Sequence, residues 1–269
     1  MAESALLAVK EGHVLTVTIN RPEKKNAVNA EVLCGLNDAW HRLDADRELR
    51  VAILTGAGGN FCAGMDLDVI RKLTSGSPPS DEFEERMAKD MSIIFNGWLK
   101  TYRPTKPVIA AVEGYALAGG TEILQGTDIR VAGESAIFGV TEVQRGLFPM
   151  AGSTVRLPRQ VPYTLALELL LTGDSYTAAQ CKQMGLIGRV VPDGQALRVA
   201  REIAARISSN GPLAVQAILK AVRETAHLPE KEAFEQKEMP IGIPIYGTED
   251  AKEGPRAFLE KRAPVFKGK

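Results

Sequence analysis

Two glycine-rich turns are the parts of this sequence best suited to binding a reactive group. FCAGMDL, over 61–67, follows a predicted strand at 51–55, and LAGGTE, over 117–122, follows a predicted strand at 107–112. The start of a helix leaves backbone N–H groups free, and glycine lets a ligand approach them closely. Two such turns facing one point would stabilise an oxyanion. The same glycines are also what ordinary strand-to-helix turns require.

Two glutamates in apolar surroundings are candidates for proton transfer. Glu122 lies in the first turn of the helix that Gly119 and Gly120 open, and Glu142 follows the apolar segment FGVT. A carboxyl group in an apolar pocket has a raised pKa, which suits it to acid–base work near neutral pH. The alternatives are that Glu122 merely complements the helix dipole and that Glu142 is a lone charge at the end of a strand.

The composition argues against several classes of protein. The chain has 269 residues, 45% of them apolar, with 33 basic and 33 acidic side chains. It can therefore bury a large core, and its charge gives no reason to expect binding to nucleic acid or a membrane surface. The first twenty residues lack the apolar core of a signal peptide, and no run reaches transmembrane length. We expect a cytoplasmic protein.

Neither a metal site nor a nucleophilic triad is indicated. The cysteines and histidines are too scattered for metal-ligand spacing or a disulfide framework; they are Cys34, Cys62, Cys181, His13, His41 and His227. A dinucleotide-binding fingerprint is also missing, because Phe61 stands where the third glycine would be required after Gly56 and Gly58.

The order of predicted elements is that of an α/β protein. Strands are predicted at 13–19, 51–55, 107–112 and 128–132, and an amphipathic helix at 29–44. A polar loop at 75–81 precedes a stretch of helical spacing over 82–99. After 190–192 the pattern is helical only, with helices at 195–207, 212–225, 231–238 and 250–261. We place a boundary near residue 195.

A series of motifs in register identifies the chain as a member of the crotonase (enoyl-CoA hydratase/isomerase) superfamily. They are NRPEKKNA at 20–27, FCAGMD at 61–66, KPVIAAVEG at 106–114, AGGTE at 118–122, FGVTE at 138–142, LTG at 171–173, AAQCK at 178–182, GL at 185–186, VVP at 190–192, EG at 253–254 and AFLEKR at 257–262. The resemblance implies a crotonase-like spiral of repeated β-β-α units over 1–195. It further implies a helical C-terminal trimerisation region over 196–269, giving a homotrimer or a dimer of trimers.

The resemblance also implies roles for particular residues. The N–H groups of Met65 and Gly119 would form the oxyanion hole, with Glu122 and Glu142 as the acid–base pair. Lys24 or Lys25 would meet a coenzyme A phosphate, and Ala27 would offer backbone contacts to the adenine. The full set of implied contacts with coenzyme A is Arg21, Lys24, Lys25, Ala27, Ala63, Gly64, Asp66 and Leu67. No separate cofactor is expected, because coenzyme A belongs to the substrate.

The implied activity is hydration of a 2,3-enoyl-CoA, because hydratases of this family use glutamates in both of these sequence contexts. Relatives that isomerise a double bond or catalyse other reactions generally lack one or both glutamates, so an isomerase or another crotonase-type activity is the alternative. A non-catalytic homologue that binds a CoA ester or RNA is a further alternative.

The acyl tunnel is expected to be lined by Met65, the loop 75–81 and the helix after it. The segments 125–132 and 250–256 resemble actinobacterial hydratases, some of which act on steroid side-chain thioesters.

Overall fold

The structure, a computed structural model, describes residues 4–269, and its elements follow the α/β order expected from the sequence. The strands are β1 (Leu6–Glu11), β2 (Val14–Ile19), β3 (Val51–Gly56), β4 (Val108–Val112), β5 (Tyr115–Leu117), β6 (Ile129–Gly133), β7 (Ile137–Gly139), β8 (Tyr176–Thr177) and β9 (Arg189–Val191). The α-helices are α1 (Ala30–Ala45), α2 (Leu67–Ser75), α3 (Glu82–Lys89), α4 (Ser92–Gly97), α5 (Gly119–Leu124), α6 (Ser153–Gln160), α7 (Tyr163–Thr172), α8 (Ala178–Gln183), α9 (Ala196–Ser208), α10 (Pro212–Thr225), α11 (Glu230–Ala233), α12 (Met239–Gly242) and α13 (Glu249–Leu259). Short 3-10 turns cover Pro22–Lys24, Thr141–Arg145 and Ile243–Gly247, and a π-helical turn covers Phe234–Glu238.

The main sheet explains why distant segments of the chain meet. Its strand order is β1-β2-β3-β4-β6-β9, and β2, β3, β4, β6 and β9 are mutually parallel. The carboxyl ends of parallel strands lie at one edge of a sheet, which is where α/β proteins bind their ligands. The segments leaving β2, β3 and β4 there contain the loop 21–27, the turn 61–67 and the turn 117–122, and the segment leaving β6 leads to Glu142.

A second, three-stranded sheet completes the predicted repeat of β-β-α units. Strands β4 and β6 are each followed at once by a short strand, β5 or β7, which pair in parallel, and β8 adds to β7 in the antiparallel sense. Helix α5 follows β5, and the 3-10 turn with Glu142 follows β7. In each repeat the chain therefore passes from a strand of the main sheet to a strand of the second sheet and then to a helical turn.

Helices cover both faces of the main sheet. Alternate residues of β3 point to opposite faces, so Ala52 and Leu54 join the larger core, which also holds Trp40 of α1. Ile53 instead joins a smaller core against α9, together with Ile109 of β4. A strand that is buried on both faces has a continuous run of apolar residues. Such runs are the basis on which β3 and β4 were predicted from the sequence.

The region after residue 195 begins with a helix that belongs to the sheet packing. Helix α9 buries Ala200 and Ala204 against the smaller core, whereas α10 has no buried residue in the isolated chain. The predicted boundary at residue 195 remains a prediction, and α9 packs with the strands before it. Hydrogen bonds attach the later helices, for example from Arg223 to Asp128 Oδ1 at 2.8 Å.

The continuous helical spacing predicted over 82–99 is wrong in one respect, since two helices occupy the stretch. Asp90 leaves the helical conformation with φ −139° and ψ 92° and ends α3. Its carboxylate then accepts hydrogen bonds from the Ser92 N–H and hydroxyl, at 2.9 and 2.6 Å, at the start of α4. Aspartate favours such local side-chain to backbone bonds over continuing a helix.

In the described part of the chain, no helix has the length and apolar character to cross a membrane.

Candidate active site

The loop after β2 is built around one buried asparagine. Asn26 has a left-handed φ of 57° and accepts a hydrogen bond from the Arg21 N–H at 2.9 Å. Its amide nitrogen donates to the carbonyl oxygens of Ala57 and Asn60, at 2.8 and 2.6 Å. The Ala63 N–H donates to the Lys25 carbonyl at 3.0 Å. These bonds fix the loop 21–27 against the segment that leaves β3.

Arg21 acts within the protein as a brace of this loop. Its guanidinium donates to the Ala27 carbonyl and forms an ion pair with Asp66 at 3.0 Å. Burial raises the pKa of Asp66, but hydrogen bonds from the Asp68 N–H and from Arg21 outweigh it and leave that pKa below its ordinary value. Asp66 also begins α2, accepting from the Asp68 N–H at 3.1 Å. These contacts therefore join the loop 21–27 to the turn 61–67.

The two lysines of the loop are exposed at its surface. In residues 4–269, neither Lys24 nor Lys25 forms an ion pair with a carboxylate of the protein. The Lys25 ammonium instead lies over the ring of Tyr115, 4.6 Å from its centroid. Leu67, the first residue of α2, is also exposed. Both lysines lack a carboxylate partner among the described residues and are therefore available to an anionic ligand.

Met65 provides a backbone donor beside this loop. It pairs with Val28 in an isolated parallel bridge, in which the Val28 N–H donates to Gly64 and the Asp66 N–H donates to Val28, at 2.8 and 2.9 Å. In this pattern the backbone groups of Asp66 and Gly64 face Val28. Among the described residues, no acceptor is recorded for the Met65 N–H.

Gly119 provides a second backbone donor at the start of α5. Ala118 before it has φ 51° and ψ −125°, a left-handed region that L-residues rarely adopt. Its N–H donates to Gly139 at 2.7 Å, and its carbonyl accepts from Thr121 and Glu122. The Gly119 N–H has no acceptor recorded within residues 4–269, as expected for the first residue of a helix.

Glycines allow the two turns to touch. A Cβ added at Gly64, which has φ +95°, would lie 2.8 Å from the Ala118 Cβ and 3.2 Å from the Gly119 nitrogen. A Cβ at Gly119 would lie 2.7 Å from the buried Trp98 ring, and one at Gly120 would overlap the Cys62 carbonyl. The Leu117 N–H donates to that carbonyl at 2.9 Å. The turns predicted from sequence are thus brought together side by side.

Glu122 is buried and held by two backbone donors. Its carboxylate oxygens accept hydrogen bonds from the N–H groups of Ala151 and Ser153, at 3.1 and 3.0 Å. Ser153 is the first residue of α6, so the positive end of that helix faces the carboxylate. These contacts fix the Glu122 carboxyl group in one orientation, less than a helical turn after Gly119.

Glu142 lies next to Glu122 in a different environment. The two carboxyl groups are close enough to interact electrostatically. Within the described chain, Glu142 Oε2 is buried without a hydrogen-bond partner. Burial and, to a smaller extent, repulsion from the Glu122 carboxylate together raise the pKa of Glu142 to about 8. One carboxylate held by donors and one that favours its proton make a pair suited to opposite roles.

An apolar cavity of about 220 Å³ lies between α2 and the helices α3 and α4. Residues that line it include Val69, Leu73, Met87, Met91 and Ile94, with the Lys72–Glu84 ion pair among its remaining walls. Helix α2 begins directly after Met65 and Asp66, so the cavity is near the first backbone donor. Trp98, at the end of the stretch 82–99 that was expected to line the acyl tunnel, packs against Gly119.

Three features of the site were not anticipated from the sequence. The N–H groups that donate to Glu122 belong to Ala151 and Ser153. The sequence gave no sign of this role beyond Gly152, which precedes a helix. The support of Gly119 by Trp98 depends on tertiary packing. The position of Lys25 over Tyr115 joins residues ninety positions apart in the chain.

Within residues 4–269 there is no group of three or more His, Cys, Asp or Glu side chains that could hold a metal ion.

Comparisons with known proteins bear on the fold and the activity of the chain. The family model described as enoyl-CoA hydratase/isomerase matches residues 9–269. Enoyl-CoA hydratase EchA19 of Mycobacterium tuberculosis (strain ATCC 25618 / H37Rv) is 57% identical over 263 residues, covering 98% of this chain and 96% of that protein. (E)-benzylidenesuccinyl-CoA hydratase of Thauera aromatica is 37% identical and covers 95% of this chain and 96% of its own.

The similarity to enoyl-CoA hydratases extends to solved structures. The crystal structure of enoyl-CoA hydratase EchA1 from Mycobacterium marinum superposes with a TM-score of 0.88 at 43% identity, covering 99% of this chain and 100% of that one. The predicted crotonase-like fold and the predicted enoyl-CoA hydratase activity are confirmed by these matches. The chain belongs to the enoyl-CoA hydratase/isomerase family, the crotonase superfamily.

Proposed function

We propose that this chain adds water across the 2,3 double bond of an enoyl-CoA thioester through Glu122, Glu142 and the N–H groups of Met65 and Gly119. One observation carries the assignment: the two carboxyl groups lie together beside two adjoining turns whose backbone donors have no acceptor in the described chain. Both donors would bind the thioester oxygen, which gains negative charge as the enolate forms.

The environments of the two glutamates support different roles. Glu122, fixed by Ala151 and Ser153, would orient a water molecule and take its proton as the water oxygen attacks C3. The electrons of the double bond shift toward the thioester oxygen. Glu142, whose pKa is raised, would then give its proton to C2 and form the 3-hydroxyacyl-CoA. The reaction as proposed needs no metal and no cofactor beyond the substrate's coenzyme A.

The surroundings support positions for both ends of the substrate. Lys24 and Lys25 would meet the phosphates of coenzyme A, and backbone groups of Ala27, Ala63 and Gly64 would contact its adenine and pantetheine. Arg21 and Asp66 would act indirectly, since each is engaged in the brace between the two loops. Leu67 would contact coenzyme A, and the cavity along α2 would accommodate the acyl group.

The test is the loss of enoyl-thioester absorbance from crotonyl-CoA and a longer 2-enoyl-CoA. We expect Glu122→Gln and Glu142→Gln each to lower kcat by about 10²- to 10⁴-fold while binding of the CoA ester is retained. Glu134→Gln, at an exposed position, is the matched control. Wild-type rates in both active-site variants would contradict the assignment. Migration of the double bond without hydration would instead favour the isomerase alternative.

We further propose that the helices after α9 mediate assembly into a trimer or a dimer of trimers. Their exposed apolar side chains are Ile218, Val222, Phe234, Met239, Ile243, Tyr246, Phe258 and Leu259. A concentration of exposed apolar side chains in one part of a chain supports an interface there. Light scattering should give three or six times the 29.0 kDa chain mass, and Ile243→Glu should reduce it. A monomeric wild-type protein would contradict the proposal. Val9→Glu, on the first strand, is the control.

A further inference from the structure

The Lys25–Tyr115 contact links the proposed coenzyme A loop to the oxyanion hole. Tyr115 is the first residue of β5, and the residue is 38% exposed. The Lys25 ammonium lies 4.6 Å from the centroid of this ring, a distance at which a cation is attracted to the aromatic face. Lys25 has a left-handed φ of 49°, so its side chain leaves the loop in an unusual direction.

The backbone around Tyr115 is fixed on all sides. Its N–H donates to Asn60 Oδ1 at 3.2 Å, and its carbonyl accepts from the N–H groups of Phe61 and Cys62, at 3.1 and 2.9 Å. Four residues later, the same segment supplies Gly119. The Tyr115 backbone is therefore held at both its N–H and its carbonyl, whereas lysine has a long side chain with many rotamers.

A surface lysine has many rotamers, and ordering it on binding costs conformational entropy. The aromatic ring restricts the Lys25 ammonium before any ligand arrives, which lowers that cost. No carboxylate within residues 4–269 competes for this ammonium. A neutral ring orients a cation without neutralising it, so the full positive charge remains available to an anion.

We propose that Tyr115 is a positioning residue, which holds Lys25 ready for a phosphate group of coenzyme A. This inference rests on the proposed function, because it takes the loop 21–27 as the coenzyme A loop. It assigns Tyr115 an effect on substrate binding that is transmitted only through Lys25. The ring itself does not contact the reacting atoms.

The experiment compares KM and kcat for crotonyl-CoA in Tyr115→Phe, Tyr115→Leu, Lys25→Met and the double variant Tyr115→Leu/Lys25→Met. Tyr115→Phe keeps an aromatic face and should retain the wild-type KM. Tyr115→Leu should raise KM by about two- to five-fold, the range expected for an exposed cation–π contact, with kcat little changed. In the Lys25→Met background the leucine substitution should have no further effect on KM. Tyr163→Leu, which removes an exposed tyrosine ring on α7, is the control.

A second substrate separates this proposal from a general structural effect. Crotonyl-pantetheine carries the same thioester without the nucleotide phosphates, so Tyr115→Leu should leave its KM unchanged. Three results would overturn the proposal: a fall in KM, an effect that persists in the Lys25→Met background, or an equal effect on both substrates. Failure of the proposed hydratase assignment would be seen separately, as wild-type kcat in the glutamate variants.

Discussion

Gly64 and Gly119 approach so closely that a Cβ added at Gly64 would lie 3.2 Å from the Gly119 nitrogen. The two residues belong to turns that leave different strands, β3 and β4. Their approach brings together the two backbone donors assigned to the oxyanion hole, since Met65 follows Gly64. The geometry of the hole therefore depends on the absence of a side chain at Gly64.

Gly64→Ala should lower kcat strongly. The new methyl group would meet the Ala118 Cβ at 2.8 Å and push the turns apart. Loss of one oxyanion donor typically lowers kcat by about 10²- to 10³-fold. Gly59→Ala is a matched control, because Gly59 also has a positive φ, of 76°, but a Cβ there would have no atom within 4 Å. Initial hydration rates and melting temperatures of both variants should be measured. Equal losses of activity would show that φ strain alone accounts for the effect.

The hydration rate should fall at alkaline pH. Glu142 must carry a proton to deliver it to C2, and burial raises the pKa of this group to about 8. Below that value the group is mostly protonated, so kcat/KM should decline as the pH rises through about 8. The measurement is kcat/KM for crotonyl-CoA between pH 6 and 9.5, with circular dichroism to confirm that the protein stays folded. A profile that does not fall over this range would contradict the assignment of Glu142 as the acid.

Glu142→Gln should change how the stability depends on pH. The raised pKa means that, between the ordinary pKa of a glutamate and about 8, the folded state holds a proton that the unfolded state has released. The free energy of unfolding contributed by this group therefore falls as the pH rises through that window. Glutamine does not titrate, so the variant should gain stability relative to wild type between pH 5 and pH 8.5. Urea denaturation at both pH values tests this, and an unchanged difference would count against the raised pKa.

Filling the cavity along α2 should change the preferred length of the acyl chain. Val69 is buried and lines the 220 Å³ space, so Val69→Phe places a ring where the acyl group is proposed to lie. We expect kcat/KM to fall for a 2-enoyl-CoA of eight or more carbons and to be largely retained for crotonyl-CoA. Arg71→Phe adds the same ring to the exposed side of α2 and is the control. An equal loss for all chain lengths would indicate that the cavity does not receive the acyl group.

Much of the local structure follows from short-range chemistry that can be recognised in the sequence. Asn29 begins α1 by accepting the Val32 N–H at 3.0 Å, as its position before an apolar periodic segment predicts. Helix α10 spans Pro212–Thr225 as predicted, with proline in its first position. The two glycine turns also form where expected, because glycine is required by the backbone conformation and by the lack of space for a Cβ.

The break in the predicted helix over 82–99 shows why local patterns were insufficient there. The spacing of apolar residues suits a continuous helix, but the Asp90 carboxylate forms competing hydrogen bonds with Ser92. Similarly, helix α9 has the amphipathic pattern of any surface helix. Only the packing of Ala200 and Ile203 against Ile53 assigns it to the second face of the sheet.

By itself, the sequence determined the α/β class, the positions of the turns and the identity of the two carboxyl groups. Tertiary structure alone brought Glu122 and Glu142 together, because the parallel sheet sends the ends of β4 and β6 to one edge. Packing also decided their different environments: Ala151 and Ser153 donate to Glu122, while Glu142 Oε2 has no protein donor in the described chain. Conformational preference is a property of a few neighbouring residues, whereas burial and charge interaction depend on segments that only the folded chain brings into contact.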